Sequence, residues 1–192
     1  NGVIFIESAR KATHFIQLAN KSDTPLLFIH NTTGFMVGKK HEQNGMINSG
    51  SQLIHAVAGS TVPHISLQVG NSYGAGNYAM CGRSFNPRFL FSYPNAKSGV
   101  MGSDQLAGVM EIVKRKSAAS LNKEIDEKLL LDEKKKLAFE ADKKASVWHT
   151  TSEVWDDGVI DPRDTRKFLS LALSAVYSSE IKGTDSFGVF RM

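Results

Sequence analysis

Short apolar runs alternate with helical spacing along the first part of the chain, and this alternation constrains the fold more than any other feature. Residues 3–6 and 26–29 are apolar runs of the length found in buried strands. Between them, residues 7–22 place apolar side chains at helical spacing. A second helical pattern over 47–58 leads into another apolar run at 65–69. This order predicts an α/β fold in which parallel strands are joined by helices.

The composition supports one hydrophobic core and excludes several classes of protein. The 192 residues are 41% hydrophobic and 22% charged, as in an ordinary globular domain. No uncharged stretch approaches the roughly 20 apolar residues that cross a bilayer, so we expect no membrane span. A net charge of +4 is small for a nucleic-acid-binding protein, which usually carries a focused basic stripe. The single cysteine, Cys81, excludes an internal disulfide and a zinc ribbon and indicates a reducing compartment.

The texture of the chain changes after residue 102. Residues 111–144 contain ten basic and eight acidic side chains, interleaved, and residues 107–141 contain no proline. We predict a pair of solvated helices there, forming a charged helical insertion over 103–147, rather than a nucleic-acid-binding arm. Asp161 and Pro162 then supply an N-cap and a first-turn proline, which predicts the start of a last helix.

The glycine-rich stretch over 69–83 is the most informative candidate site. A predicted strand enters a turn with glycines at 70, 74 and 76, followed by a short helix predicted over 76–82. Because glycine has no Cβ, such a turn lets a ligand approach the main chain, and the first N–H groups of the helix point toward it. These donors could hold a phosphate, or the oxygen of an enolate or tetrahedral intermediate. A tight connection without any ligand is an equally good interpretation.

Residues 70–74 also satisfy the Gly-x-Ser-x-Gly pattern of a nucleophile elbow, which would make Ser72 the nucleophile of a serine hydrolase. The catalytic partners would have to be an acid followed by a histidine in chain order. Only His149 comes late enough in the sequence, and it lies in a segment with no other catalytic signal. The hydrolase therefore stands as an alternative hypothesis.

A second candidate site is the loop that follows the strand at 26–29. Gly34 and Gly38 flank Phe35, Met36 and Val37, which could present an apolar ridge and exposed backbone to a flat, partly polar ligand. An ordinary packed loop is the alternative. Metal sites are not predicted, because the histidines lack i, i+4 pairing or a nearby cysteine and are expected to be surface or hydrogen-bonded side chains: His30, His41, His55 and His64.

Longer strings resemble the carboxyltransferase β subunits of biotin-dependent acyl-CoA carboxylases, and most closely the methylcrotonyl-CoA and geranyl-CoA carboxylase branch. The resemblance covers nearly the whole chain, in order, and is weakest over 111–147. The strings that carry it are NTTGFMVGK at 31–39, SYGAGNYAMCGR at 72–83, PRFL at 87–90, PNA at 94–96, VMG at 100–102, WDDGVIDP at 155–162 and GVFRM at 188–192.

The resemblance implies a fold and a reaction. The fold would be crotonase-like (ClpP/crotonase), with stacked ββα units and C-terminal helices, and residues 1–192 would form the C-terminal domain of a longer subunit. The implied reaction transfers a carboxyl group from carboxybiotin, carried on a partner domain, to an acyl-CoA similar to methylcrotonyl-CoA. The freed biotin nitrogen would then take the substrate proton, which would explain why no side-chain base is obvious.

The same resemblance implies roles for particular residues. The backbone amides of Gly74, Ala75 and Gly76 would stabilise the negative charge on the biotin ureido oxygen. The segment from Gly34 to Gly38, with Phe35, Met36 and Val37 between, would line the biotin pocket, and Tyr73 is assigned to the same cofactor site.

The implied partners are a biotin carboxylase and biotin carboxyl carrier subunit, the N-terminal carboxyltransferase half and other β subunits in a homo-oligomer. The location would be cytoplasmic in a bacterium and the mitochondrial matrix in a eukaryote. Departures from the branch at 42–45 and 101–105 leave the acyl group open. A non-catalytic assembly module remains a third hypothesis.

Overall fold

A computed structural model describes residues 2–190. Asn1, Arg191 and Met192, which include the end of the predicted string at 188–192, lie outside the described residues. The strands are β1 (Val3–Ile4), β2 (Leu26–Thr32), β3 (Gly34–Phe35), β4 (His64–Tyr73), β5 (Phe89–Ser92), β6 (Lys97–Gly99) and β7 (Gly158–Val159). The α-helices are α1 (Ile6–Lys21), α2 (Lys39–Gln43), α3 (Met46–Gly59), α4 (Gly74–Ala79), α5 (Ser103–Ser120), α6 (Glu127–Ala145), α7 (Val147–Ser152) and α8 (Thr165–Val176).

The strands form a parallel sheet in the order β2-β4-β5-β7, and β6 pairs in parallel with the far end of β4. A separate parallel pair joins β1 to β3. The α/β architecture predicted from the alternating pattern is therefore confirmed. Strand β4 lies at the centre of this sheet, because it contacts β2, β5 and β6.

Two hydrophobic clusters surround this sheet. Helices α1 and α3 pack together and supply Ile16, Leu53 and Val57 to the first cluster, which also includes Leu26 and Phe28 of β2. The second cluster packs α8 over β4 and β5. Its side chains are Ile65 and Leu67 from β4, Phe91 from β5, and Ala172 and Val176 from α8. Residues 64–68 of β4 are buried without interruption, so the strand runs from this core toward the site at its carboxyl end.

Strand β2 is less buried than its apolar run predicted. Its side chains alternate between buried and exposed positions, and Leu27 and Ile29 are both about half exposed. The expectation of a strand buried on both faces is therefore wrong for β2. Only its alternate side chains, beginning with Leu26 and Phe28, reach the core, because the other face has no covering helix in the part of the chain described.

The glycine-rich turn is shorter than predicted. Strand β4 continues through Gly70 to Tyr73, since residues 71–73 pair with β6. Helix α4 begins at Gly74 rather than at Gly76, so the predicted turn over 70–76 reduces to the single step from Tyr73 to Gly74. The long loop predicted over 31–44 also contains β3 and α2.

Helices α5 and α6 form a hairpin over the charged segment, whose status as an insertion remains a prediction. Ion pairs join the two helices, including Lys114 to Glu133 and Arg115 to Glu127. Farther along, the Asp161 side chain accepts a hydrogen bond from the Arg163 amide at 2.8 Å. It caps a 3₁₀ turn over Pro162–Asp164 that leads into α8, so the predicted start signal is confirmed with a one-turn offset.

Candidate functional site

The candidate site begins at the sharp step from β4 into α4. Gly74 has a φ of +53°, a left-handed conformation, and a Cβ there would lie 2.8 Å from the Val100 carbonyl oxygen. Tyr73 occupies the N-cap position without a side-chain hydrogen bond to the helix. The first N–H groups of a helix have no partner within it, so Gly74, Ala75 and Gly76 supply free donors at this step. Among residues 2–190, no hydrogen bond outside the helices and strands uses these amides.

A cavity of about 570 Å³ opens beside this helix start, and Gly74 and Ala75 line it. Its other lining residues include both polar and apolar side chains, the combination that orients and buries small-molecule ligands. The polar ones are Gln68, Asn77, Arg83, Ser84, Ser92, Ser98, Thr150 and Asp156, and the apolar or aromatic ones include Tyr78, Leu90, Val100 and Trp155. The structure therefore brings two of the three predicted donors to one cavity.

The third predicted donor, Gly76, is buried and serves packing. A Cβ at Gly76 would lie 2.9 Å from the Gly34 Cα and 3.1 Å from Thr32 Cγ2. Backbone cannot move aside as a flexible side chain can, so this contact requires glycine. The two predicted glycine-rich segments therefore touch each other, and neither Gly76 nor Gly34 is among the residues that line the cavity.

The predicted biotin-pocket segment does not form an apolar ridge. Phe35 is half-buried against Gly50, Met36 packs against the first hydrophobic cluster, and Val37 is 74% exposed. Gly34 and Gly38 adopt φ values of +124° and +120°. None of these five residues lines the cavity at Gly74, so their role in cofactor binding stays a prediction.

Tyr73, the other predicted cofactor residue, is buried at the end of β4. Burial raises the pKa of its phenol, with a smaller opposing influence from Lys97. Its ring lies against the backbone of Gly99 on β6, where a Cβ would be 3.8 Å from the ring. Tyr73 therefore packs against β6 next to the turn and does not line the cavity.

A polar cluster lies beneath the turn. It was missed because the search for a partner of Ser72 considered only histidines that follow it in the sequence. His30 on β2 is fully buried, and its Nδ1 lies 2.9 Å from Ser72 Oγ on β4. The Asn77 side-chain amide on α4 donates to the same Ser72 oxygen at 2.8 Å. Burial lowers the pKa of His30 from 6.5 to about 4, and the Met80 backbone offsets this only in part. Histidine at the carboxyl end of a strand was the available signal, because strand ends gather in parallel sheets.

This cluster weakens the hydrolase hypothesis. Ser72 is 0% exposed, so a substrate carbonyl has no access to its oxygen. Its histidine partner is His30 rather than His149, which lies on α7 with its ring edge against Trp155. In the described part of the chain, no carboxylate hydrogen-bonds to His30. A histidine without a carboxylate partner, beside a serine hydroxyl that a substrate cannot reach, does not form a catalytic triad.

The remaining buried histidine, His64, belongs to a separate structural cluster. Its Nδ1 lies 3.2 Å from Cys81 Sγ and its Nε2 lies 2.8 Å from Ser60 Oγ. Burial lowers the pKa of His64 to about 4 and raises the pKa of Cys81 to about 12. A thiol with so high a pKa is inert at neutral pH.

Over residues 2–190 the structure holds no group of three metal-ligating side chains, and none of the helices there is long and apolar enough to span a membrane. The rim of the cavity is charged instead. Arg83 lies 3.8 Å from Asp157, whose other oxygen accepts a hydrogen bond from the Leu90 amide at 2.7 Å. The neighbouring Asp156 is buried and accepts from the Thr151 hydroxyl. These residues come from distant segments of the chain, and no local pattern predicted them as site residues.

Comparisons with known proteins agree with this architecture. Residues 1–189 match the family described as the carboxyl transferase domain. The chain is 55% identical over 193 residues to the probable biotin-dependent acyl-coenzyme A carboxylase beta2 subunit of Mycobacterium tuberculosis, covering 100% of the chain and 36% of that protein. It is 45% identical over 193 residues to the mitochondrial methylcrotonoyl-CoA carboxylase beta chain of Dictyostelium discoideum, covering 100% and 33%.

A solved structure is similar over the same region. The beta subunit of geranyl-CoA carboxylase from P. aeruginosa superimposes with a TM-score of 0.85 at 45% identity, covering 98% of this chain and 36% of that one. The crotonase-like fold predicted above is confirmed by this likeness. The chain spans about a third of the length of the curated relatives it matches.

Proposed function

Because the chain belongs to the carboxyl transferase domain family, we propose that it transfers a carboxyl group from carboxybiotin to an acyl-CoA as part of a biotin-dependent carboxylase. The family resemblance found in the sequence is confirmed by the matching relatives. The observation that carries the proposal is the pair of unpaired amides, at Gly74 and Ala75, lining a 570 Å³ cavity at the end of the central strand.

The donor set fits the group. Carboxybiotin, when bound, would supply the carboxyl group, and the group for these donors to hold would be its ureido oxygen, which would carry negative charge. Preorganised backbone donors are suited to such a charge, because they need no reorganisation when it appears. Any Cβ at Gly74 would collide with the Val100 carbonyl oxygen. Residue 74 therefore has no side chain, and its backbone stays accessible from the cavity. In this proposal Gly74 and Ala75 donate directly, and Gly76 holds the helix against Gly34.

The test removes one donor while changing little else. Ala75 is exposed in the first turn of α4, where proline is tolerated but lacks an N–H. In the complete subunit assembled with its biotin-carrying partner, Ala75→Pro should lower kcat about 10²-fold, as loss of an oxyanion donor does. Ala75→Ser keeps the amide and should stay within a few-fold of wild type. Wild-type kcat in Ala75→Pro, with the fold intact by circular dichroism, would overturn the donor assignment.

The acyl substrate belongs to the same proposal. Relatives include a methylcrotonoyl-CoA carboxylase chain and a geranyl-CoA carboxylase subunit, so we propose a branched or isoprenoid α,β-unsaturated acyl-CoA. A panel of methylcrotonyl-, geranyl- and propionyl-CoA, each tested for carboxylation by the complete enzyme, distinguishes these classes. Preference for propionyl-CoA would contradict the assignment.

The partners and location are proposed on the same basis. The hairpin of α5 and α6 exposes several large apolar side chains, which supports contact with another segment of the carboxylase. These side chains are Val109, Ile112, Val113, Leu121, Leu129, Leu131 and Phe139. We propose the N-terminal carboxyltransferase half and further β subunits as its neighbours, with a biotin carboxylase and carrier subunit delivering the cofactor. The location would be the mitochondrial matrix in a eukaryote, in keeping with the mitochondrial Dictyostelium chain, and the cytoplasm in a bacterium. If an intact assembly did not carboxylate any of these substrates, the non-catalytic module would be the better interpretation.

A further inference from the structure

We propose that the buried side chains of His30 and Ser72, together with the half-buried Asn77, form a positioning network that sets the place of helix α4 relative to the strand ends. The inference rests on the proposed function, since the amides it would position are those of Gly74 and Ala75. None of the three is proposed to touch the reacting atoms. Their effect on catalysis would pass through the geometry of the turn above them.

The first observation is the set of elements that the network joins. His30 lies near the end of β2, Ser72 lies one residue before the end of β4, and Asn77 lies in α4. The two hydrogen bonds, at 2.9 and 2.8 Å, meet at Ser72 Oγ. One hydroxyl on the central strand β4 therefore joins the end of the edge strand β2 to the helix whose first turn lines the cavity.

The second observation is that the network is poorly suited to stability alone. His30 Nε2 is buried and makes no hydrogen bond of good geometry within residues 2–190, although the Met80 backbone lies close enough to raise the pKa of the ring. A buried polar atom without a partner is costly, and natural proteins keep few of them without a reason. An apolar side chain of similar shape would fill this position at less cost, unless the Nδ1 contact with Ser72 is needed.

The third observation concerns Asn77, whose side chain has little freedom. A Cβ at Gly82 would overlap the Asn77 amide group, so the chain passes close to it on that side. The Gly82 backbone N–H also donates a hydrogen bond to the backbone carbonyl oxygen of Asn77 at 2.8 Å. With Ser72 on one side and Gly82 on the other, the Asn77 amide is fixed in orientation, and α4 is fixed with it.

The fourth observation is the short reach from Asn77 to the donors. Asn77 follows Gly76 directly and lines the same cavity as Gly74 and Ala75. A six-residue helix has few backbone hydrogen bonds of its own, so its position depends on the contacts that it makes with neighbouring elements. A displacement of about 1 Å in a positioning group can lower a rate about 10²-fold, so loss of this anchor should be visible in kcat.

The experiment compares two near-isosteric replacements of the histidine in the complete subunit with its biotin-carrying partner. His30→Asn keeps a donor and an acceptor at the Nδ1 position, whereas His30→Leu removes both. We expect His30→Leu to lower kcat about tenfold or more while KM for the acyl-CoA changes less than about twofold. His30→Asn should recover most of that loss.

His64→Leu is the matched control for removing a buried imidazole. His64 is also buried, at 7% exposure against 0% for His30, but it hydrogen-bonds to Cys81 and Ser60, away from the first turn of α4. It should lower the melting temperature and leave kcat near wild type. Should His30→Leu fail to fold, Ser72→Ala removes the shared oxygen with a single-atom deletion and should show the same kcat loss.

Equal kcat in His30→Asn and His30→Leu, or wild-type kcat in Ser72→Ala, would overturn the network while leaving the proposed function standing. Failure of the wild-type enzyme to carboxylate any acyl-CoA would instead reject the function. Crystal structures then decide the network separately. Displacement of α4 from β4 in His30→Leu, but not in His30→Asn, would support it, and an unmoved α4 in both would reject it.

Discussion

The turn between β4 and α4 and the hairpin of α5 and α6 use polar side chains in opposite ways. At the turn, His30 and Ser72 are 0% exposed and make a few hydrogen bonds that join distant strands. On the hairpin, Lys114 and Glu133 form an ion pair in which both side chains are nearly half exposed. Buried polar contacts are costly to break, whereas exposed pairs contribute little. Small chemical changes should therefore matter at the turn and hardly at the hairpin.

The largest expected effect is a loss of stability in acid that originates at the buried histidines. Burial lowers the pKa values of His30 and His64 to about 4, whereas the unfolded chain binds protons near pH 6.5. Between these values the unfolded state carries more protons, so the free energy of unfolding falls as the pH falls. Each histidine should contribute about 3 kcal/mol of this loss, complete near pH 4.

Urea unfolding at pH values from 7 to 4 measures this slope. The variant His30→Asn, which cannot titrate in this range, should show a shallower dependence by about one proton. An equal slope in wild type and variant would show that His30 is not responsible.

The next effect in size is a packing clash at Gly76. A Cβ there would lie 2.9 Å from the Gly34 Cα, and backbone atoms on both sides resist a shift. We expect Gly76→Ala to lower the free energy of unfolding by about 1–3 kcal/mol, as overpacking does. Chemical denaturation measures the change. An unchanged midpoint would mean that α4 and β3 can separate without cost, which would contradict the tight contact described here.

A matched substitution on the hairpin should have the opposite sign. Gly108 lies inside α5, where an added Cβ would meet nothing within 4 Å. Gly108→Ala should raise the free energy of unfolding by about 0.5–1 kcal/mol, because alanine is the better helix former. The same denaturation experiment tests it. Destabilisation here would indicate that this face of α5 is packed, and the contrast between the two regions would fail.

The smallest effect is expected at the ion pair between Lys114 and Glu133. Lys114→Gln should change stability by less than about 0.5 kcal/mol, since both side chains lie near solvent. Salt screens this ion pair. Its addition should therefore change the free energy of unfolding of the wild-type protein, through this pair, by no more than Lys114→Gln does. A loss above about 1 kcal/mol would show that the pair is shielded, for instance by a neighbouring subunit on the hairpin.

Local patterns predicted most of the elements of this fold. Helical spacing located α1 and α3, and the Asp161–Pro162 signal located the region where α8 begins. The glycines at 74 and 76 were selected correctly as special positions, but not for one shared reason. Gly74 is required by its left-handed φ and Val100, whereas Gly76 is required by Gly34. Spacing alone cannot distinguish these reasons, because both partners lie more than twenty residues away in the chain.

What the sequence determined by itself was the α/β class, the main alternation of strands and helices, and the family resemblance, since these follow from neighbouring residues and from strings read in order. Only the tertiary structure decided that His30 meets Ser72, that Gly70 lies in a strand, and that Gln68 and Asp156 share a cavity with Ala75. Those contacts depend on the register between parallel strands. Register is a property of the packed sheet as a whole, because moving one strand by a single residue would turn each side chain to the opposite face.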